Sequence, residues 1–313
     1  MKALQWDYSG LPDSIDPGKV KRLLAIALND TRPTPRQSGY AVRGAGITQS
    51  GVIFSGSNHE SGAQWSDHCE HTVVNSASEL YGDEDHLEML AIIAGEPGNV
   101  ATPCGRCRDH LREYVPEGCY IISASPGGGE VTATLLGDYY SDDFKIMDSI
   151  IDNPKGFEEA FVAYGNSFNP FGEIPENADF GAAFLTANGI FTGSFYGTIG
   201  FDATLPISNA WTSIRDSKMS TTRFNVNRLV LASEKPIIPA YRDRQALRDM
   251  VDILKSTGTL KGSLPIVMLQ SNGSEIIQAW ETDSDEWLPH PFSASNLGLE
   301  EAIGEEFRRK FMR

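Results

Sequence analysis

The chain has 313 residues, 40% of them hydrophobic, and 26 Lys and Arg against 42 Asp and Glu, a net charge of −16 at pH 7. That length fits about two domains with ordinary cores, and so acidic a chain argues against a nucleic-acid strand as partner, since such binders carry a basic stripe. No apolar run approaches the ~18 residues of a membrane helix, and Met1-Lys2-Ala3-Leu4-Gln5-Trp6-Asp7 turns polar too early for a secretory signal, so a cytoplasmic protein without a membrane partner is expected.

In chain order, a glycine/alanine-rich strand, Gly44-Ala45-Gly46-Ile47, leads into the hairpin Ser50-Gly51-Val52-Ile53-Phe54-Ser55-Gly56-Ser57-Asn58. A helix follows Glu70, with Val73, Val74, Ala77, Leu80 and Tyr81 on its inner face, so His68 and Glu70 stand at its N-terminal end. A second helix, Arg106 to Tyr114, opens at Cys104 after Pro103. Cys119 reads as a buried strand residue, since free Cys packs as a small hydrophobe. The polar stretch Asn153-Pro154-Lys155-Gly156 suggests a boundary, giving domains 1–152 and 153–313.

The second half then echoes the first. Gly181-Ala182-Ala183-Phe184-Leu185 and Ala187-Asn188-Gly189-Ile190-Phe191-Thr192-Gly193-Ser194-Phe195 repeat the strand and hairpin at one offset, which indicates duplication. The same offset sets Leu205-Pro206-Ile207 where the first half has His68-Cys69-Glu70, and no C-x-x-C follows. The second copy is therefore expected to hold no metal. Its other elements read as strands 227–232 and 264–269 with a helix between them, about Asp243 to Ser256, apolar at Leu247, Met250, Val251 and Leu254. Strands alternating with helices indicate an α/β sandwich.

Two short stretches carry the chemistry: His68-Cys69-Glu70 and Pro103-Cys104-Gly105-Arg106-Cys107. C-x-x-C alone is shared with redox and structural sites. Together the two spell H-x-E … P-C-x-x-C, which resembles the signature of zinc-dependent nucleobase deaminases. A catalytic zinc takes three protein ligands and leaves one position open. His68, Cys104 and Cys107 would be the three, and Glu70, two residues past the first, could work on the water. The competing reading is a closed structural site with a fourth ligand from Cys69 or His71. Cys69, however, points about 100° from His68 on a helix, and His71 lies one turn on.

Further segments carry a resemblance to cytidine deaminase over nearly the whole chain. Gly51-Val52-Ile53-Phe54-Ser55-Gly56-Ser57-Asn58-His59-Glu60 is similar to that family's sugar-binding motif, and Leu288-Pro289-His290-Pro291-Phe292-Ser293-Ala294-Ser295-Asn296-Leu297 to its closing motif. A weaker closing motif, Leu136-Gly137-Asp138-Tyr139-Tyr140-Ser141, ends the first half. A zinc-bearing half before a zinc-free copy, with His as first ligand, resembles the dimeric class. The resemblance implies a three-layer α/β/α sandwich duplicated in one chain, with one zinc per chain. It implies hydrolytic deamination of cytidine or 2′-deoxycytidine to the uridine product and ammonia, a step of pyrimidine salvage. Glu70 would shuttle protons to N3 and the leaving amine, and Asn58 and Glu60 would hold the ribose. Strand periodicity agrees in placing those two on one face with His59 turned away. The chain would act as a homodimer, with Tyr140 reaching the neighbouring chain's pocket.

Cys69, Asp109, Gly137, Tyr140 and His59 depart from the family's usual residues near the pocket. They leave open a modified cytosine nucleoside, a nucleoside antibiotic or a nucleotide as substrate. A non-catalytic zinc protein used in assembly is the reading from another class. His59, His86, His110 and His290 read as ordinary polar or capping residues, Phe292 as structural, and Gly82-Asp83-Glu84-Asp85 as a solvated helix end.

Overall fold

A computed structural model describes residues 5–30, 32, 35, 38–60, 66–81, 84–95, 98, 100–140, 145–146, 155–198, 203–216, 225–273, 275–288 and 305. These fall into two compact units, divided between Tyr140 and Ser141. The expected boundary falls on Asn153 and Pro154, which lie outside the described residues.

The first unit runs β1 (Trp6–Asp7), α1 (Pro17–Leu28), β2 (Arg43–Thr48), β3 (Ile53–Ser57), β4 (His59–Glu60), β5 (Ser66–Asp67), α2 (Cys69–Tyr81), β6 (Leu87–Ile93), α3 (Gly105–Tyr114), β7 (Tyr120–Ala124) and β8 (Gly129–Leu135). Its sheet has the order β1-β8-β7-β6-β2-β3. α1 starts where Asp16 accepts from Gly18 N at 2.8 Å with Pro17 behind it, a capped start with the fixed φ that a first helical residue favours. Alternate sheet residues face opposite layers, as the strand repeat of two requires. Ala45, Ile47, Met89 and Ala91 pack under Val20, Leu23, Leu24 and Ala27 of α1. Leu90, Ile92 and Ile121 pack under Val73, Val74 and Ala77 of α2 and Leu111 of α3. The unit is an α/β/α sandwich.

α2 sits close on the sheet because glycines let it. A Cβ on Gly56 would lie 2.9 Å from Cys69 O and 2.7 Å from Val73, and one on Gly44 would lie 2.8 Å from Cys69 Sγ. Leu80, expected on the inner face, is 70% exposed. Val73 lies over Gly44 and Gly46, and Leu80 is two turns, about 10 Å, further along the helix.

The second unit runs β9 (Lys145–Ile146), α4 (Phe157–Gly165), β10 (Gly181–Thr186), β11 (Gly189–Gly193), β12 (Tyr196–Gly197), β13 (Ala203–Thr204), α5 (Pro206–Asp216), β14 (Val226–Ser233), α6 (Tyr241–Ser256), β15 (Pro265–Ser271) and β16 (Ile276–Asp283). Its sheet order, β11-β10-β14-β15-β16-β9, matches the first unit strand for strand. Only the edge differs: β1 runs parallel to β8, whereas β9 runs antiparallel to β16. Ala160 of α4 covers one face over Ala183, Leu185, Val230 and Leu269, and α5 lies across β10 and β11 with α6 beside it. The α/β/α sandwich is thus duplicated in one chain.

The duplication has one register detail that sequence matching places wrongly. Gly44 pairs with Gly56, but Ala182, not Gly181, pairs with Gly193. Five residues separate the paired Ile47 and Ile53, and four separate the paired Leu185 and Ile190, so the second turn is one residue shorter. A one-residue slip would send every side chain to the other face. The structural match therefore sets Ala183 and Leu185, which face α4, where Ala45 and Ile47 face α1. Among the described residues no helix is long and apolar enough to cross a membrane.

Candidate metal centre and active site

The two helix starts supply the site. His68 follows β5, and its carbonyl accepts from Thr72 N at 3.2 Å, which makes it the residue capping α2. Cys104 caps α3, its carbonyl accepting from Arg108 N at 2.9 Å. Cys107 is the third residue of that helix. The spacing brings the three donor atoms together. His68 Nδ1 lies 3.1 Å from Cys107 Sγ and 3.3 Å from Cys104 Sγ, and the two sulfurs are 3.6 Å apart. Zinc at usual Zn–S and Zn–N lengths would set tetrahedral ligands roughly 3.5–3.8 Å apart, so the trio fits such an ion with a small expansion.

Neither alternative fourth ligand joins them. Cys69 Sγ is turned to the sheet and donates to Gly56 O at 3.2 Å. His71 stacks on His110 of α3, ring centroids 4.2 Å apart, and the metal-competent group holds only His68, Cys104 and Cys107 among the described residues. A metal held by these three would find no fourth protein ligand among the described residues, the arrangement that catalytic sites use.

The electrostatics suit a cation. Cys104 is held well below the usual thiol range, first by its bond from Cys107 and then by His68. Burial pushes Cys107 well up, and the neighbouring thiolate adds to it. A divalent ion would ionise both. Burial works against a charged His68, but the Cys104 thiolate outweighs it and raises the imidazole. Glu70 is 5% exposed. Burial raises its carboxyl, the Cys104 charge adds to this, and its carboxylate also bonds to the Cys107 thiol. A buried carboxylate beside the trio and outside the ligand set is placed to exchange protons there.

Asn58 precedes β4 and Glu60 ends it, and β4 pairs antiparallel with β5 immediately before His68. Asn58 is 7% exposed; its Oδ1 accepts from Val42 N at 2.8 Å and its Nδ2 donates to Tyr40 O at 2.9 Å. Glu60 Oε2 accepts from Ser38 N at 3.0 Å, and His59 between them is exposed. Both thus hold the 38–42 segment. Tyr140 donates from its hydroxyl to Arg108 O at 3.3 Å, under the Arg112 guanidinium. Phe292 and most of the second closing motif, beyond Leu288, lie outside the described residues.

Four residues of this region take roles that sequence reasoning did not give them. Arg106 Nη1 donates to Ser66 O at 3.0 Å and so ties the start of α3 to the strand before His68. Arg108 is fully buried, its Nε donating to Pro103 O at 2.9 Å and its guanidinium lying over the Tyr139 ring. His71 and His110 form the stack between α2 and α3, with both Nε2 atoms buried and unpartnered. His110, expected to be an ordinary polar or capping residue, packs between the two helices. Burial and neighbouring charges, that of His110 first, push His71 down to about 3, so it stays neutral. A signal for the arginines existed in the pattern Pro-x-x-Arg-x-Arg, present at Pro103 and again at Pro239.

No protein-family model matches the chain, and neither does any curated protein. Solved structures do. A cytidine deaminase from Burkholderia pseudomallei is 23% identical, covering 42% of this chain and 99% of its own, at a TM-score of 0.35. A cytidine deaminase from Mycobacterium tuberculosis is 27% identical over 40% of this chain and 96% of its own, at 0.33. One from Mycobacterium leprae is 24% identical over 36% and 92%, at 0.29. Superposition at such scores establishes no shared reaction.

Proposed function

We propose that the first unit is a zinc-dependent deaminase of cytosine nucleosides, releasing the uracil product and ammonia. One observation carries this reading: a buried Glu70 stands against three metal-competent donors that leave a fourth position open. His68, Cys104 and Cys107 would hold the ion. When bound, zinc supplies the Lewis acidity that brings the ionisation of water near neutral pH. Glu70 does the proton work. It takes the proton of the attacking water, delivers one to ring N3, and then serves the leaving amine. Its burial keeps the carboxylate out of bulk water, and its place on the first turn of α2 fixes it two residues from His68.

The second reading keeps this chemistry and changes the substrate to a modified cytosine nucleoside or a nucleotide. Cys69, Asp109, Gly137, Tyr140 and His59, which depart from the usual residues near the pocket, favour it. A non-catalytic zinc protein would not need a buried acid at the fourth position. In either enzymatic reading the chain works as a two-fold homodimer, with Tyr140 serving the neighbouring pocket. Ammonia release from cytosine, cytidine, 2′-deoxycytidine, a base-modified cytidine and cytidine monophosphate tests the proposal. Cytidine should exceed cytosine by several orders of magnitude, since a site built to bind a hydroxyl rejects ligands lacking it by up to about 10⁴–10⁵-fold. Equal rates on cytosine and cytidine would remove the sugar assignment, and no turnover of any would remove the enzyme.

A further inference from the structure

The second unit preserves the frame of the metal centre and changes its contents. α5 begins at Pro206 as α2 begins at Cys69, and α6 begins at Tyr241 as α3 begins at Gly105. Leu205 then stands for His68, Ala240 for Cys104, and Asp243, third in its helix, for Cys107. The frame is kept closely. Arg244 is fully buried and donates from Nε to Pro239 O at 2.8 Å, as Arg108 does to Pro103 O. A Cβ on Gly193 would meet Pro206 O and Ala210 N, as one on Gly56 would meet Cys69 O and Val73.

What fills the gap is a carboxylate. Asp243 is fully buried, and it reaches across from α6 to the first turn of α5. Its Oδ2 accepts from Ile207 N at 2.8 Å, and its Oδ1 from Ser208 N at 2.9 Å and Ser208 Oγ at 2.8 Å. Ile207 and Ser208 are the second and third residues of α5, and amides there have no acceptor within their own helix. The dipole of the helix start adds to the attraction for a negative charge.

We propose that Asp243 is the internal replacement for the metal in the second unit, joining the two helix starts that zinc joins in the first. The comparison with zinc rests on the metal reading of the first unit; the tie through Asp243 does not. The change from Cys107-type to Asp243-type chemistry exchanges an ion that bonds to side chains for an anion that bonds to backbone amides. The second unit is thereby closed against metal and holds its helix junction whether or not metal is present. This gives the silent copy a defined architecture of its own rather than an emptied site.

Residue-resolved amide hydrogen exchange on the zinc-loaded full chain tests this. In Asp243→Ala the amides of Ile207 and Ser208 should exchange at least about tenfold faster, since both lose the acceptor that Asp243 gives them. Asp243→Asn, close in shape, keeps one acceptor oxygen and should deprotect one of the two amides more than the other; it carries the test if the alanine variant does not fold. Unchanged exchange at both amides in these variants would overturn the proposal. Stripping zinc from the wild type with a chelator should speed exchange around residues 68–72 and 104–108 and leave Ile207 and Ser208 unmoved. Deprotection of Ile207 and Ser208 by the chelator would also overturn it. A wild type that binds no zinc would instead remove the first unit's metal reading, with the Asp243 variants still deciding the tie.

Discussion

Glu70→Gln separates proton transfer from everything else Glu70 could do. Glu70 is 5% exposed and close to the metal-competent trio, yet it is not one of the three donors. Glutamine has nearly the same shape, so no cavity forms and no ligand is lost. It cannot take up a proton at neutral pH. General acid–base catalysis contributes about 10²–10⁴-fold, and one carboxylate here serves the water, N3 and the amine in turn. A fall in kcat of at least about 10³-fold is expected, or roughly 4 kcal/mol of barrier at ~1.4 kcal/mol per decade. Stability should barely move: a change of about 1 kcal/mol corresponds to only ~2–4 °C in a domain of this size class. The assay pairs ammonia release from saturating cytidine with elemental zinc analysis and a melting curve on the same preparation. Turnover within about threefold of wild type would refute the role of Glu70. Loss of zinc from the variant would refute it differently, by showing that Glu70 is a ligand.

Cys104→Ala or Cys107→Ala should abolish zinc binding, and the wild type should carry one zinc per chain by elemental analysis; two would contradict the closed second copy. Gly193→Ala places a Cβ 2.2 Å from two backbone atoms of α5 and should cost at least the ~1–3 kcal/mol of overpacking without altering zinc content. Gly56→Ala crowds the backbone of Cys69 beside His68, the residue that would ligate zinc, and should weaken zinc affinity in competition with a chromogenic chelator. Asp243 gives a pH test. Burial pushes its carboxyl up to about 6 from 3.8, against the pull of the Ile207 and Ser208 amides, the Ser208 hydroxyl and Arg242. The folded state then binds the extra proton between those values. The stability of wild type relative to Asp243→Asn is therefore greatest below pH ~4 and falls, by about 3 kcal/mol in all, as pH rises through 6. Denaturant melts of the pair from pH 4 to 8 measure this, and a gap that widens in favour of wild type with rising pH would contradict the sign.

A burial that costs stability and is kept all the same points to specification of geometry rather than to strength. The same distinction separates what could be read along the chain from what could not. His68, Glu70, Cys104 and Cys107 were legible because metal and acid–base chemistry accept few residue types at few spacings. α6 was legible through Leu247, Met250, Val251 and Leu254, which repeat at helical spacing and are all buried. The hairpins showed in their glycine turns. These signals are local, set within one or two turns of chain.

Tertiary structure decided the rest. The β10 register follows from a turn one residue shorter, which no composition reveals because Gly181 and Ala182 both look like Gly44. Leu80 has the right helical phase and is nevertheless exposed, which phase alone does not decide. Asn58 and Glu60 carry the residue types and face of a sugar site, but their bonding to residues 38–42 depends on where that segment lies. Asp243 looks like a surface charge in the run Arg242-Asp243-Arg244. Only the approach of α5, some 35 residues earlier in the chain, turns it into a buried tie. The residues that could do chemistry were thus determined by the sequence itself, because chemistry selects residue types. Which polar groups became structure was decided by the fold, because that depends on donors and acceptors that only long-range packing brings together.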